Sequence, residues 1–456
     1  MSNHASRFDG DVALPSSVIE RYFSRSSHGS GMVFDLTLEL DGVVGPDPLR
    51  DAWVAVVAGH HRLFWRLTGS GKRQHWVPAP IDDAKCFHIV SLEPTTDPTS
   101  VPAPDVRQGV GACLLVSNNT DYPAIRFRFH HCACDGVGAA RVIGEFFAQL
   151  HGQSISPSGG ESPAHSPTDR RGETTFPDLR NTWQTIRGRN VRVSKDVVDP
   201  VAKESGDAPT AANPLRSVAS DTWAFELEAE LSGKLRIALR NHKIPLNDYA
   251  VAATAYAIAQ VSPHCAAAGK YVMVMNPTQM RRWSNRRSSA NHLGFAFVRR
   301  RHDELGIDAD QTAASILDSV HQQIQAVRSL RIAGELAYGI GAVEKIPGSL
   351  RLVEQMGWFT PTASLTCLSS IRFSRRYGFV DGACVGDTPI RNVGMSAPLQ
   401  AGGELAVTIW EMGGPIGWSL RFASPSPHCH RAAQLLAHSI EHFSRSIFTS
   451  TSLSDT

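Results

Sequence analysis

No apolar run in this chain is long enough to cross a membrane. A spanning helix needs about 20 apolar residues. The best stretch, DYAVAATAYAIAQV from Asp248 to Val261, is shorter and Ala-rich, and reads as a buried helix. The first residues, MSNHASRFDGD, show no basic start followed by an apolar core, so no secretory signal is visible and a reducing cytoplasm is the expected compartment. An excess of one charge is also missing. The 45 Lys and Arg residues against 43 Asp and Glu leave a formal charge of +2, which gives no general attraction to nucleic acid or anionic lipid. A small molecule or another protein is the expected partner. Cysteine is present but unpatterned: Cys86, Cys113, Cys132, Cys134, Cys265, Cys367, Cys384 and Cys429 include no CxxC pair and sit mostly among apolar neighbours. They read as small core residues rather than a disulfide framework or a redox pair. No internal repeat is strong enough to define an array.

A soluble globular composition remains, 42% hydrophobic and 19% charged over 456 residues. That length predicts two domains of roughly 200 residues each. In residues 1–150, LPSSVIERYFSR predicts a helix with Ile19, Tyr22 and Phe23 on one face. MVFDLTLELDG is β-rich, and Leu49, Trp53, Val56 and Val57 mark a second helix. Short strands follow near QHWVP, CFHIVSL and GACLLVSNN. In AIRFRFHH, Ile125, Phe127, Phe129 and His131 share one face, while Arg126, Arg128 and His130 share the other. A helix then carries Ala139, Ile143, Phe146, Phe147 and Leu150 at helical spacing. Residues 151–220 are rich in Ser, Pro and Gly and then basic, predicting a partly disordered crossover linker. Residues 221–456 return to strands and helices, among them a helix capped around Asn247, a buried strand KYVMVMNP ending at Asn-Pro, a strand NHLGFAFVRR and a last helix HRAAQLLAHSIEHFSRSIF.

The most concentrated chemistry lies in RFRFHHCACDGVGAARVIGEFF, residues 126–147. Zinc would find N and S donors at His130, His131, Cys132 and Cys134, with more at His428, Cys429 and His430. Adjacent histidines on a strand point to opposite faces, however, and no second cluster has metal-ligand spacing, so no metal is expected. Acyl transfer explains more of the residues. It needs a base to deprotonate the acceptor as it attacks a thioester carbonyl, and a histidine ending a rigid strand suits that task. His131 is so placed. Gly136 and Gly138 permit a tight turn into the following helix, and Asp135, among small residues, is expected to be buried near a cation or to cap that helix.

HHCACDG resembles the HHxxxDG motif of the chloramphenicol acetyltransferase-like superfamily, which includes non-ribosomal-peptide condensation domains, alcohol acyltransferases, and wax ester and diacylglycerol acyltransferases. LPSSVIERYF, LELDGVVGPDPLRDAWVAVVAGHHRLFWRL, IPLNDYAVAATAYAI and VMNPTQMRR with ANHLGFAFV are similar to further segments of that superfamily in the same order. The likeness is greatest to standalone condensation-domain and alcohol acyltransferase proteins. It covers about residues 13 to 445 outside the linker. The resemblance implies an α/β fold of two acetyltransferase-like lobes, each a mixed β-sheet flanked by helices. The lobes would form a pseudo-dimeric V with a tunnel between them.

By the same resemblance His131 is the general base, His130 is structural, Asp135 orients the loop by pairing with Arg281, and Gly136 is the turn glycine. Asn291, Gly294 and Thr366 would lie along the substrate channel. No permanently bound cofactor is implied. An acyl-CoA or acyl-phosphopantetheine thioester would be the co-substrate, with a small-molecule hydroxyl or amine as acceptor. The alternatives are a condensation enzyme working with a carrier protein in trans, a wax ester or diacylglycerol acyltransferase, and a non-catalytic ligand-binding protein of the same fold. The arginine-rich run Arg281 to Arg287 offers positive charge to a CoA phosphate or an acidic carrier, with a solvated loop as the plainer reading. The chain departs from the superfamily in lacking a DFGWG signature, in reading HH at His60 and His61, in carrying Phe64 where an arginine is usual, and in reading TCLS from Thr366.

Overall fold

The structure, a computed structural model, describes residues 13–25, 32–153, 215–262, 270–280, 288–306, 312–329, 332–344, 346, 348–349, 352, 361–368, 384–399, 403–411, 414–423 and 427–448. Most of the 151–220 segment and Arg281 lie outside the described residues.

The first lobe runs β1 (Leu14–Pro15), α1 (Val18–Arg25), β2 (Val33–Leu40), α2 (Pro46–Ala58), β3 (Arg66–Thr68), β4 (His75–Val77), α3 (Asp83–Cys86), β5 (Phe87–Val90), β6 (Ala112–Ser117), β7 (Ala124–His130) and α4 (Gly136–Leu150). The second runs β8 (Arg216–Ala219), β9 (Thr222–Glu226), α5 (Ala229–Asn241), α6 (Leu246–Val261), β10 (Tyr271–Gln279), β11 (Leu293–Arg301), α7 (Ala313–Ser329), α8 (Ile332–Val343), β12 (Ala363–Cys367), β13 (Cys384–Val385), β14 (Thr388–Ser396), β15 (Leu405–Glu411), β16 (Ile416–Phe422) and α9 (Pro427–Ser446).

Two mixed sheets organise these elements. One has six strands in the order β13-β14-β2-β7-β6-β5, the other seven in the order β11-β10-β12-β15-β16-β9-β8. A three-stranded sheet, β1-β4-β3, lies apart. The six-stranded sheet is not built from the first half alone, because β14 crosses over and pairs antiparallel with β2.

Local signals explain where the helices begin. Ser17 and Glu20 form a reciprocal cap on α1: the Glu20 N–H donates to Ser17 Oγ at 3.2 Å and the Ser17 N–H to Glu20 Oε2 at 2.6 Å. The helix expected to be capped around Asn247 instead enters from Pro245 without a side-chain cap. Asp248, in its first turn, is fully buried and takes charged hydrogen bonds from Arg328 at 2.6 Å and 3.1 Å. The strand expected to end at Asn276-Pro277 continues to Gln279, since β11 pairs with it along its whole length.

Each sheet carries its own apolar core. In the first lobe Phe127 and Phe129 pack with Trp53 of α2 and Phe146 of α4. In the second, Leu365, Val407, Ile409 and Leu420 pack with Tyr249 and Ile258 of α6 and Leu436 of α9.

The face of β7 that alternation marks as polar is not solvated: Arg126 and Arg128 are both fully buried. Arg128 Nε donates to Asp35 Oδ1 at 3.0 Å, and its Nη1 to the carbonyls of Val101 and Pro102. Arg126 donates to Thr37 Oγ1 and, across the lobes, to the carbonyl of Val218, each at 3.0 Å. From the other side Arg421 on β16 pairs with Asp221 and reaches the Val33 carbonyl at 3.0 Å. The lobes therefore meet through a buried polar seam, where charges are tolerable because partners replace the lost water. A second tie is the bidentate pair of Arg21 on α1 with Glu344 just past α8, its shortest contact 2.7 Å. Among the described residues no helix is long and apolar enough to cross a membrane.

Candidate active site

The strand β7 ends at His130, and the chain turns through Cys132, Ala133 and Cys134 into α4. His130 N–H donates to the Gly111 carbonyl and His131 N–H to the Met32 carbonyl, at 2.9 Å and 2.8 Å. The two histidines are thus pinned at their backbones, and their rings diverge.

The His130 ring points into the protein. Its Nδ1 accepts the Cys132 N–H at 3.1 Å, and burial, with His131 adding a smaller push, lowers its pKa to about 4. It is a neutral acceptor that shapes the turn. The His131 ring lies on the opposite side, 9% exposed, on the wall of a pocket. Phe23 stacks on it with ring centroids 4.6 Å apart and planes 24° from parallel, and Phe34 meets it edge-on at 5.3 Å. Desolvation lowers its pKa, while the Asp135 carboxylate and the nearby carbonyls of His131 and Cys134 pull it back up.

Asp135 is fully buried and caps α4: its Oδ1 accepts the Gly138 N–H at 2.8 Å. Its Oδ2 accepts the His292 N–H, also at 2.8 Å, from the second lobe. One carboxylate thus holds the motif loop and the segment leading into β11 together. Next to it Asn291 donates to the His131 carbonyl at 2.6 Å, with the same amide nitrogen 3.3 Å from His131 Nδ1. The amide's orientation is fixed, because Leu293 N–H donates to its Oδ1 at 3.0 Å. The 2.6 Å bond to the carbonyl is the amide's donation; at 3.3 Å its nitrogen packs beside Nδ1, whose role as donor or acceptor depends on the tautomer.

Close approach makes one glycine necessary here. A Cβ added at Gly138 would lie 2.1 Å from the Ser289 carbonyl oxygen. Gly136 has no left-handed backbone and simply opens α4; a Cβ there would sit 3.1 Å from Leu368. Gly294 is placed against α8, where a Cβ would be 2.7 Å from the Ala333 carbonyl oxygen, and it does not line the pocket. Thr366 does. Cys132 and Cys134 are buried, their thiols donating to the carbonyls of Glu20 and Asp135. Among the described residues no group of three or more His, Cys, Asp or Glu is placed to hold a metal ion.

The pocket encloses about 510 Å³ including its mouth and is mainly apolar. Gly136, Ala139, Ala140 and Ile143 of α4 form one wall, and Thr366 and Thr408 stand on the second-lobe sheet. Sequence reasoning did not single out Phe34, Asp35, Thr408 or the Ser289–His292 contacts. Phe23 stood out only as part of an apolar helix face. Thr408 carries no local signal, since it acquires its place only when the lobes come together.

Set beside solved structures, the chain has the chloramphenicol acetyltransferase-like fold of condensation domains. It superposes on the first condensation domain of the calcium-dependent antibiotic synthetase with a TM-score of 0.63 at 14% identity, over 96% of this chain and 99% of that one. The condensation domain of the monacolin K polyketide synthase gives 0.60 at 11% identity, covering 95% and 98%. The starter condensation domain of rhizomide synthetase, solved as a mutant in complex with C8-CoA and Leu-SNAC, gives 0.58 at 13% identity, covering 96% and 94%. No protein-family model matches the chain, and no curated protein matches it by sequence.

Proposed function

We propose that the protein is an acyltransferase that moves an acyl group from a thioester, on CoA or on a carrier protein in trans, to a hydroxyl or amine acceptor. The observation that carries this reading is the state of His131. Its ring is wedged between Phe23 and Phe34, Asn291 holds its carbonyl and packs beside Nδ1, and the ring stands on the wall of an apolar pocket. A neutral imidazole fixed in that way is poised to accept a proton.

In the reaction so read, Nε2 takes the proton of the acceptor O–H or N–H as the oxygen or nitrogen forms its bond to the thioester carbonyl carbon. The tetrahedral intermediate then collapses, the C–S bond breaks, and the thiolate leaves with the proton returned by His131. For Nε2 to act as base the proton must rest on Nδ1, with the Asn291 amide hydrogen directed to the His131 carbonyl rather than to Nδ1. Asp135 touches no substrate in this scheme. It orients the loop through the Gly138 and His292 N–H groups, and we retain Arg281 as a further proposed partner for its charge. The starter condensation domain solved with C8-CoA supports an acyl thioester as donor. The test is a panel of acyl-CoA and acyl-carrier thioesters, read by thiol release with mass spectrometry of acceptor products. Transfer to any acceptor supports the reading. A saturable ligand with no thiol release from any donor would instead favour a binding protein of this fold.

A further inference from the structure

Three features of the pocket, taken together, define its occupant more closely. The first is charge. The only carboxylate in the described lining, Asp35, is matched by Arg128 at 3.0 Å, so no unpaired charge waits for a ligand. A phosphate or a free zwitterion entering this space would lose its hydration without a counter-charge. The occupant is uncharged, which fits the acyl chain rather than the phosphate-bearing part of a donor.

The second is the asymmetry of the walls. On the α4 side the pocket is hydrocarbon, through Ala139, Ala140 and Ile143. Opposite, Thr366 of β12 and Thr408 of β15 line the pocket as registered neighbours, and Ser419 of β16, itself outside the lining, continues the row beside Thr408. Alternation sends Leu365, Val407 and Leu420 into the core behind the sheet, leaving this row on the side of the first lobe.

The third is an unmet bond. Ser419 Oγ donates to the Met395 carbonyl, but Thr408, only 2% exposed, has no hydrogen-bond partner for its Oγ1 among the described residues. A buried hydroxyl without a partner is costly, and a pocket-lining one is satisfied when a ligand supplies the bond.

The geometry points to an acyl substrate that is not a plain alkyl chain: we infer that it carries an uncharged hydrogen-bonding group, a hydroxyl or carbonyl, that pairs with Thr408. This deepens the acyltransferase reading and rests on it for calling the ligand an acyl group. The pairing itself is tested by binding alone. S-octyl N-acetylcysteamine thioethers, in which a methylene replaces the thioester carbonyl so that no transfer occurs, are compared with the same chain bearing a hydroxyl or a keto group at C3, C4 or C5. Binding is measured by calorimetry on the wild-type protein and on Thr408→Val, which preserves side-chain shape. At least one substituted chain binds the wild type about tenfold or more tightly than the plain chain, and Thr408→Val removes that preference while binding the plain chain at least as well. No preference in the wild type, or a preference that survives in Thr408→Val, overturns the inference. Because the ligands are unreactive, either result stands whether or not the protein proves to be a transferase.

Discussion

Replacing Asp135 is the sharpest structural perturbation, because one side chain serves both lobes. In Asp135→Ala the Gly138 N–H loses its cap, worth about 1 kcal/mol, and the buried His292 N–H is left unsatisfied, worth about 2 kcal/mol. Both bonds are 2.8 Å long and shielded from water, so the combined loss is on the order of 3 kcal/mol. Asp135→Asn should recover little of this. A carboxamide has one acceptor oxygen, so its NH2 would face one of the two backbone donors. Thermal and urea unfolding of both variants measure the loss, and amide hydrogen exchange locates it. Faster exchange is expected at Gly138 and His292 together, with the far strands β5 and β8 unchanged. The reasoning is refuted if Asp135→Asn unfolds with the wild type, or if exchange rises at only one of the two amides.

Further predictions follow from the same geometry. Gly138→Ala drives a methyl against the Ser289 carbonyl at 2.1 Å, so despite better helix propensity it should destabilise by about 1–3 kcal/mol and lower turnover; a fully stable, fully active variant would contradict the close approach. His130 stays neutral in the folded protein down to pH about 4, whereas the unfolded chain protonates near 6.5. The unfolded state therefore binds more protons between these values, and stability falls as pH drops from 6.5 to 4, by about 3 kcal/mol from this group. His130→Asn, which keeps an acceptor for Cys132 N–H, should flatten that part of the stability–pH curve. For His131, a lowered pKa means that kcat/KM should lose its acid limb below the ordinary histidine value and stay flat above it. Phe23→Leu, which removes the ring stacked on His131, should lower kcat while leaving KM near its wild-type value.

Much of this was legible in the sequence, and the parts that were not share a cause. Alternation in AIRFRFHH gave the strand and put His130 and His131 on opposite faces, because the β repeat is a local property. The same alternation set Arg126 and Arg128 on a polar face, yet that face is buried, because Asp35, Val101 and Pro102 of the first lobe and the Val218 carbonyl of the second supply partners that no local pattern reveals. The crossover of β14 onto β2, the α8 helix that meets α1, and the Thr408 hydroxyl at the pocket all depend on contacts between residues hundreds of positions apart. The candidate base could be picked from one heptapeptide. The Asn291 amide that engages it was legible only as a substrate-channel residue, since its bond to His131 spans 160 positions. Arg281, expected to pair with Asp135, lies outside the described residues.

The central claim is that His131 is the base. It is tested most directly by measuring thiol release and acyl product for His131→Ala beside the wild type, with an active donor and acceptor. The account predicts a folded protein, shown by an unchanged unfolding profile above pH 7, whose kcat falls by about 10²–10⁴. Turnover at the wild-type rate in that variant would contradict it.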